Sequence, residues 1–218
     1  MKTAKKWMSL LLICLFAMMA AGCSGAGDDA GAVKAAEDYL MALKAGNAQE
    51  VAALESSDSE SMVDGIESAG LGSLSGLGVS DENITLFKDA LWKYIGTAFK
   101  SWSVKDSETD GDEAKVYVEV TGADLDTLDD EDAIQNAMTE TVTQWVSDNV
   151  NEMQDYAENH TEEEQAAWLI DQMMPLLCTG LEETAAALPD AARLYRISLV
   201  KEDGSWKVRN LEMEADEE

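Results

Sequence analysis

The chain has 218 residues, with 44 acidic side chains against 15 basic ones, a single histidine and three cysteines, for a formal net charge of −29. A field of that sign repels nucleic acid and anionic lipid head groups, so no nucleic-acid partner is expected, and any electrostatically steered partner should be cationic. The histidine and cysteine counts leave no zinc site of the His/Cys type. No Gly-x-Ser-x-Gly, phosphate-cradling loop or nucleophile with a nearby base occurs, so no catalytic residue, resident metal or cofactor is expected.

At the amino terminus, Lys2, Lys5 and Lys6 precede an apolar run from Trp7 to Ala21 that only Ser9 interrupts. A positive head, a short apolar middle and small residues at the end make a secretory signal. As a helix the run would rise roughly 22 Å, short of the roughly 30 Å hydrocarbon core, which favours a removed signal over a permanent span. An ordinary signal cleaved after an Ala-x-Ala-like site, and an uncleaved anchor, are the alternatives.

The tetrapeptide Ala20-Ala21-Gly22-Cys23 resembles the lipobox of bacterial lipoproteins. That resemblance implies cleavage between Gly22 and Cys23, diacylglycerylation of the Cys23 thiol, and a chain of residues 23–218 anchored by lipid on the extracytoplasmic face of the cell membrane. Each buried methylene contributes about 0.8 kcal/mol, so one acyl chain binds reversibly whereas two hold a protein in place. The signal holds three of the basic residues and none of the acidic ones, so the chain beginning at Cys23 carries −32. Ser24 to Gly31 (SGAGDDAG) has the small, polar composition of a tether, giving residues 23–31 as tether and 32–218 as one domain.

Within that domain, AVKAAEDYLMALKAGN places Val33, Ala36, Tyr39, Leu40 and Leu43 on one helical face, with Asp28 or Asp29 to start the helix and Gly46 to stop it. A second short helix is expected over Ala48 to Ser56. The Ser/Gly-rich stretch from Ser57 to Ser80 reads as a loop with one weak helical turn. A third helix starts near Asp81, with Ile84, Phe87, Leu91, Tyr94 and Ala98 on its stripe and Trp92 and Ile95 widening it. Then come two strands, SWSVKDS from Ser101 and AKVYVEVTG from Ala114. In the latter Val116, Val118 and Val120 alternate with Tyr117, Glu119 and Thr121, one face buried and one exposed. The intervening ETDGDE contains the Asp-Gly pair expected of a hairpin turn.

From Ala123 to Arg193 the strand pattern gives way to helix. One helix is expected from about Asp130 past Val150, with Ile134, Met138, Val142, Trp145 and Val146 on its stripe. Another begins at the capping-box pattern Thr161-Glu162-Glu163-Glu164 and is bent or ended by Pro175, with a short third one, LEETAAAL, stopping at Pro189. The chain closes on a second hairpin, LYRISLVKEDGSWKVRNLEM, in which Tyr195, Ile197 and Leu199 point inward, Asp203-Gly204 turn, and Trp206 and Val208 return.

The fold class that follows is α+β. Amino-terminal helices pack on an antiparallel sheet of about four strands in two hairpins, with a long helical insertion over about 123–193 between them. An amino-terminal helix of the form VKAAEDYLMALKAGNAQEVAAL and strands ending in YRISLVKEDGSWKV resemble the nuclear-transport-factor-2-like lipoproteins of bacteria, an α+β cone of the cystatin-like type. The resemblance covers the first helix and both hairpins, and implies a concave sheet face where a pocket can form. The insertion is expected to pack Trp145 and Trp168 onto that sheet, since the first helix is judged too short to cover four strands.

The remaining constellations have simpler readings. Asp106, Glu108, Asp110, Gly111 and Asp112 fall at calcium-loop spacing, but Tyr117 stands where the bidentate glutamate belongs and strands flank the segment, so an acidic hairpin turn is expected instead. The acidic run from Asp124 to Asp132 suits a solvated helix entry. His160 is expected to face solvent, and Cys178 to be a small buried hydrophobe. Core packing is the default for the tryptophans, with Trp145, Trp168 and Trp206 as the candidate lining of a pocket. The functional expectation is a non-catalytic, membrane-anchored domain that binds a protein or a cell-envelope component. A small-molecule pocket in the cone is the alternative, and an enzyme using carboxylates the remaining one.

Overall fold

The computed structural model describes residues 28–59, 61–66, 79–125 and 142–214. The signal, Cys23, and the helical stripe positions Ile134 and Met138 lie outside the described residues.

Helix α1 runs over Asp28–Ala45 and buries Ala32, Ala36, Tyr39, Leu40 and Leu43, the face that the three-and-four spacing demands. Gly46 ends it in the left-handed region (φ 64°), with its N–H donating to the Leu43 carbonyl at 2.9 Å. A Cβ at Gly46 would also lie 3.0 Å from the backbone of Trp92 and Lys93, so close packing and the cap ask for the same residue. Asn47 then caps the short α2, Ala48–Leu54, by accepting from the Glu50 N–H. One further turn, α3, Met62–Ile66, is the weak helix expected in the Ser/Gly-rich stretch. Helix α4, Asp81–Gly96, starts at its Ser80 cap and passes through a 3-10 turn at Thr97–Phe99 into the sheet.

The sheet is antiparallel in the order β1-β2-β3-β4, from Ser101–Asp110, Glu113–Ala123, Asp190–Glu202 and Ser205–Met213. Val116, Val118 and Val120 are buried on the inner face, joined by Ile197, Leu199 and Val208. The two turns differ by one residue in frame. Glu202 pairs with Ser205, which leaves Asp203-Gly204 as the central pair, both at positive φ (50° and 81°), the pattern of a type I′ turn. Asp110 pairs with Glu113, so the first turn is Gly111-Asp112, with only the glycine at positive φ (62°), the pattern of type II′.

Both edge strands carry a one-residue bulge, and in each the extra residue is cationic. Lys105 in β1 pairs with Glu119 at 2.9 Å, and Arg209 in β4 pairs with Glu113 at 2.9 Å. Bulges and charges at an edge oppose the addition of a further strand.

Helix α1 touches all four strands, which corrects the expectation that it is too short to cover them. Four strands span only about 14 Å at roughly 4.8 Å apiece, and a helix with its side chains is about 10–12 Å across, so one helix lying along the sheet reaches every strand. The insertion is therefore free to pack elsewhere. In it, residues 142–148 are helical, Asn149 interrupts, α5 spans Val150–Ala157, and α6 runs for 26 residues over Glu162–Ala187. Helix α6 lies along α4, where Met174 and Cys178 meet Val79 and Ala90 in a second apolar cluster flanked by Ile84, Phe87 and Ile170. The first cluster lies between α1 and the sheet and includes Trp92 and Phe99. The expectation of one core, with Trp145 and Trp168 laid on the sheet, gives way to these two clusters, with α4 contributing to both.

Pro175 neither ends α6 nor separates LEETAAAL from it. A proline inside a helix leaves the carbonyl four residues earlier without its N–H partner. Here that carbonyl belongs to Asp171, and Asn83 Nδ2 of α4 donates to it at 2.8 Å. The same amide reaches Asp171 Oδ1 at 2.8 Å, and Ser80 donates to that oxygen through its N–H (2.9 Å) and its hydroxyl (2.7 Å). Burial pushes the Asp171 carboxyl up, but these hydrogen bonds outweigh it and hold the group below the ordinary aspartate range.

Asn83→Ala should therefore cost about 1–3 kcal/mol, the penalty for stranding a partly buried acceptor, read as a lower urea midpoint at unchanged slope. In a Pro175→Ala background, where residue 175 regains an N–H for the Asp171 carbonyl, the same change should cost less by about 0.5 kcal/mol or more. Equal costs in the two backgrounds would show that Asn83 does not compensate for the proline.

Candidate functional site

The proposed acylation site, Gly22-Cys23, lies outside the described residues, but α1 begins only five residues beyond Cys23, at Asp28. The helix thus takes up the second half of the 23–31 tether, leaving Ser24 to Gly27 between the two. Its first turns are pinned to both hairpins. Thr109, next to the first turn, donates to Asp29 Oδ1 at 2.6 Å, and Gly31 packs against the Trp206 ring, which a Cβ there would approach to 3.2 Å.

Of the three tryptophans named as pocket lining, two come together and one does not join them. The Trp145 and Trp168 rings lie 6.1 Å apart, tilted by 51°. Trp168 stacks in turn on Tyr156 (4.7 Å), and Tyr156 on His160 (3.7 Å). This row of four rings belongs to the insertion, and Trp145, Tyr156 and Trp168 are only half-buried within it. Trp206 packs on the first cluster instead, with Lys201 Nζ above its ring at 5.2 Å. His160 is solvent-exposed as expected, its Nδ1 2.8 Å from the Tyr156 carbonyl, and the Thr161 cap beside it forms the reciprocal capping box with Glu164.

The inner sheet face that a cone would leave concave is filled by α1, Trp92 and Phe99. A cleft of about 50 Å³ remains where β4 meets the chain after α2, lined by Tyr39, Glu55, Met62, Arg209 and Asn210 among others. Sequence reasoning missed its central carboxylate. Glu55 accepts from the Tyr39 hydroxyl at 3.2 Å, the Met62 N–H at 3.0 Å and the Ser61 hydroxyl at 2.7 Å. Burial, together with the neighbouring Glu55 charge, pushes the Tyr39 phenol up, so it serves as a hydrogen-bond donor and not as a base. Glu202 is used in the same way: the Ser56 hydroxyl (2.6 Å) and the Ser57 N–H (3.1 Å) donate to it and hold its carboxyl below the usual range. Glu202, at the end of β3, fastens the segment after α2 to the sheet, whereas the Glu55 carboxylate ties that segment to Tyr39 of α1 and to its own Ser61 and Met62. The only sequence signal for them is a Ser-rich stretch flanked by acids.

The calcium-spaced acids form the expected exposed hairpin, and no cluster of three metal-ligating side chains occurs among the described residues. Cys178 is buried among the apolar side chains of the second cluster, and burial pushes its thiol up, which disfavours the reactive thiolate. Among the described residues no helix is long and apolar enough to cross a membrane.

No family model matches the chain, and no curated protein matches it significantly. Among solved structures it is similar to a lipoprotein candidate (ycdA) of Bacillus subtilis, with 17% identity and a TM-score of 0.43. That alignment covers 86% of this chain and 52% of the other, so the chain spans about half the length of that protein. It is also similar to a single-substitution form of Rv3472, a protein of unknown function from Mycobacterium tuberculosis, with 12% identity and a TM-score of 0.35 over 99% of this chain and 76% of the other. A third is a candidate calcium/calmodulin-dependent protein kinase II association domain from Xanthomonas campestris, with 14% identity and a TM-score of 0.36 over 89% and 92% of the two chains. All three are distant likenesses.

Proposed function

We propose that this chain is a lipid-anchored extracytoplasmic lipoprotein whose folded part is a non-catalytic interaction domain for a protein or cell-envelope component. The observation that carries the anchoring is the junction itself: Lys2, Lys5 and Lys6, the apolar run to Ala21, and Ala20-Ala21-Gly22-Cys23 directly before a polar stretch. The α+β arrangement, with α1 laid across a four-stranded antiparallel sheet, is what a cone of the nuclear-transport-factor-2-like kind would have. Binding through a surface is favoured over an internal pocket because the inner sheet face is filled. Among the described residues, the cleft of about 50 Å³ beside β4 is also far below the roughly 300 Å³ at which small-molecule sites begin.

The test of the anchor is metabolic labelling with a fatty acid in a bacterial host. Wild-type protein should take up label and stay with the membrane fraction, whereas Cys23→Ala should take up none. Processing should also remove about 2.3 kDa of signal. Equal labelling of the two proteins, or an unshortened chain, would overturn the reading. Cross-linking from intact envelopes tests the interaction role, and a ligand-dependent rise in melting temperature without any cross-linked partner would favour a pocket instead.

A further inference from the structure

The ends of α1 mark two opposite ends of the sheet. At its start, Asp29 bonds to Thr109 and Gly31 packs on Trp206, residues that flank the Gly111-Asp112 and Asp203-Gly204 turns respectively. At its finish, Lys44 Nζ donates to the Lys100 carbonyl at 2.6 Å and lies 5.9 Å above the Trp102 ring, beside the start of β1. A Cβ on Gly96 would come within 2.8 Å of the Leu43 and Lys44 carbonyls, so that end is tightly packed. Both hairpin turns are therefore gathered at the amino-terminal end of α1. Ser101 lies at the other end, about 30 Å away along the ten residues of β1.

Five chain steps separate Cys23 from Asp28 and can span at most about 18 Å. That is shorter than the sheet. Resting on the reading of Cys23 as the acylated residue, we propose that the hairpin-turn end of the sheet is the surface that faces the lipid bilayer, with the Ser101 end directed away from it. The turn end is rimmed by Asp29, Asp110, Asp112, Glu113 and Asp203, set against Lys201, Lys207 and Arg209. Head groups of an anionic leaflet repel such a rim over a distance comparable to the tether, about 8 Å at physiological ionic strength. The domain thus stands off the bilayer, turns downward, touching it through the lipid alone.

The experiment uses full-length protein, acylated in the host and reconstituted into phosphatidylcholine vesicles doped with phosphatidylglycerol, with an acceptor dye in the head groups. Donor dyes are placed one at a time at Asp112→Cys, Ser205→Cys or Ser101→Cys in a Cys178→Ala background, and the mass of each protein reports acylation. Energy transfer to the membrane should be about twofold or more greater from positions 112 and 205 than from 101, given the spacing along β1. Asp110→Asn with Asp203→Asn should raise transfer from position 205 further. Equal or reversed transfer in protein of acylated mass would overturn the orientation and leave the anchor standing. Unchanged transfer after the two neutralisations would overturn the electrostatic stand-off. Protein with an unmodified Cys23 would overturn the anchor itself, and the orientation with it.

Discussion

Gly122→Ala is expected to destabilise the protein by about 3 kcal/mol, the upper part of the range for forcing an extra methyl into a packed interior. Gly122 lies near the end of β2, opposite Ala191 of β3, and the 3-10 turn crosses directly over it. A Cβ there would sit 2.0 Å from the Ala98 carbonyl oxygen and 2.2 Å from its carbon. Neither is the far end of a flexible side chain, so relief requires the backbone of the turn or of the strand to move. That turn carries Phe99, whose ring meets Tyr195 at 5.9 Å under the sheet, so a shift would be felt in the core. Gly180→Ala, in the interior of α6 with nothing within 4 Å of the new atom, should have the opposite sign and stabilise by about 0.5–1 kcal/mol. Urea unfolding of the two variants checks both, and a Gly122→Ala protein as stable as wild type would show that turn and strand are not in backbone contact.

A second large effect separates the two apolar clusters. Leu40→Ala removes a fully buried side chain of α1 from the cluster under the sheet, and should cost about 2–5 kcal/mol, lowering the midpoint of the whole sheet. Trp168→Ala removes a larger side chain, yet one that is half-buried and stacked on Tyr156 and Trp145 within the insertion. The expected loss is smaller, about 1–2 kcal/mol, and hydrogen exchange should speed up over 142–187 while Val116, Val118 and Ile197 keep their protection. If Trp168→Ala exposed the sheet as fully as Leu40→Ala does, the insertion and the sheet would share one core after all.

These expectations differ from those that the sequence alone supports, and the reason is physical. Periodicity of two and of three to four is set by backbone geometry, so the strands of both hairpins, the buried face of α1 and the burial of Val116, Val118 and Val120 could all be read from residue order. The same holds for local chemistry closed within a few residues. The Thr161-Glu164 capping box and the Asp203-Gly204 turn are as residue order specifies. The lipobox-like Ala20-Ala21-Gly22-Cys23 is local in that sense too, and remains a matter of sequence.

Contacts between residues far apart in the chain decided the rest. Pro175 would break α6 on local grounds, but Asn83, from a different helix, supplies the hydrogen bond that the proline removes. Asp110-Gly111 and Asp203-Gly204 are the same dipeptide, yet they take different turn frames, because register is set by the pairing of whole strands and not by the turn alone. Glu55 and Glu202 look like two more surface acids until Tyr39, Ser56 and Ser61 converge on them. An amphipathic stripe on the insertion announces that it will be buried, but apolar attraction is non-directional and leaves its partner unnamed. Once α1 lay along a sheet only four strands wide, the inner face was already occupied, and α4 offered the apolar surface that remained.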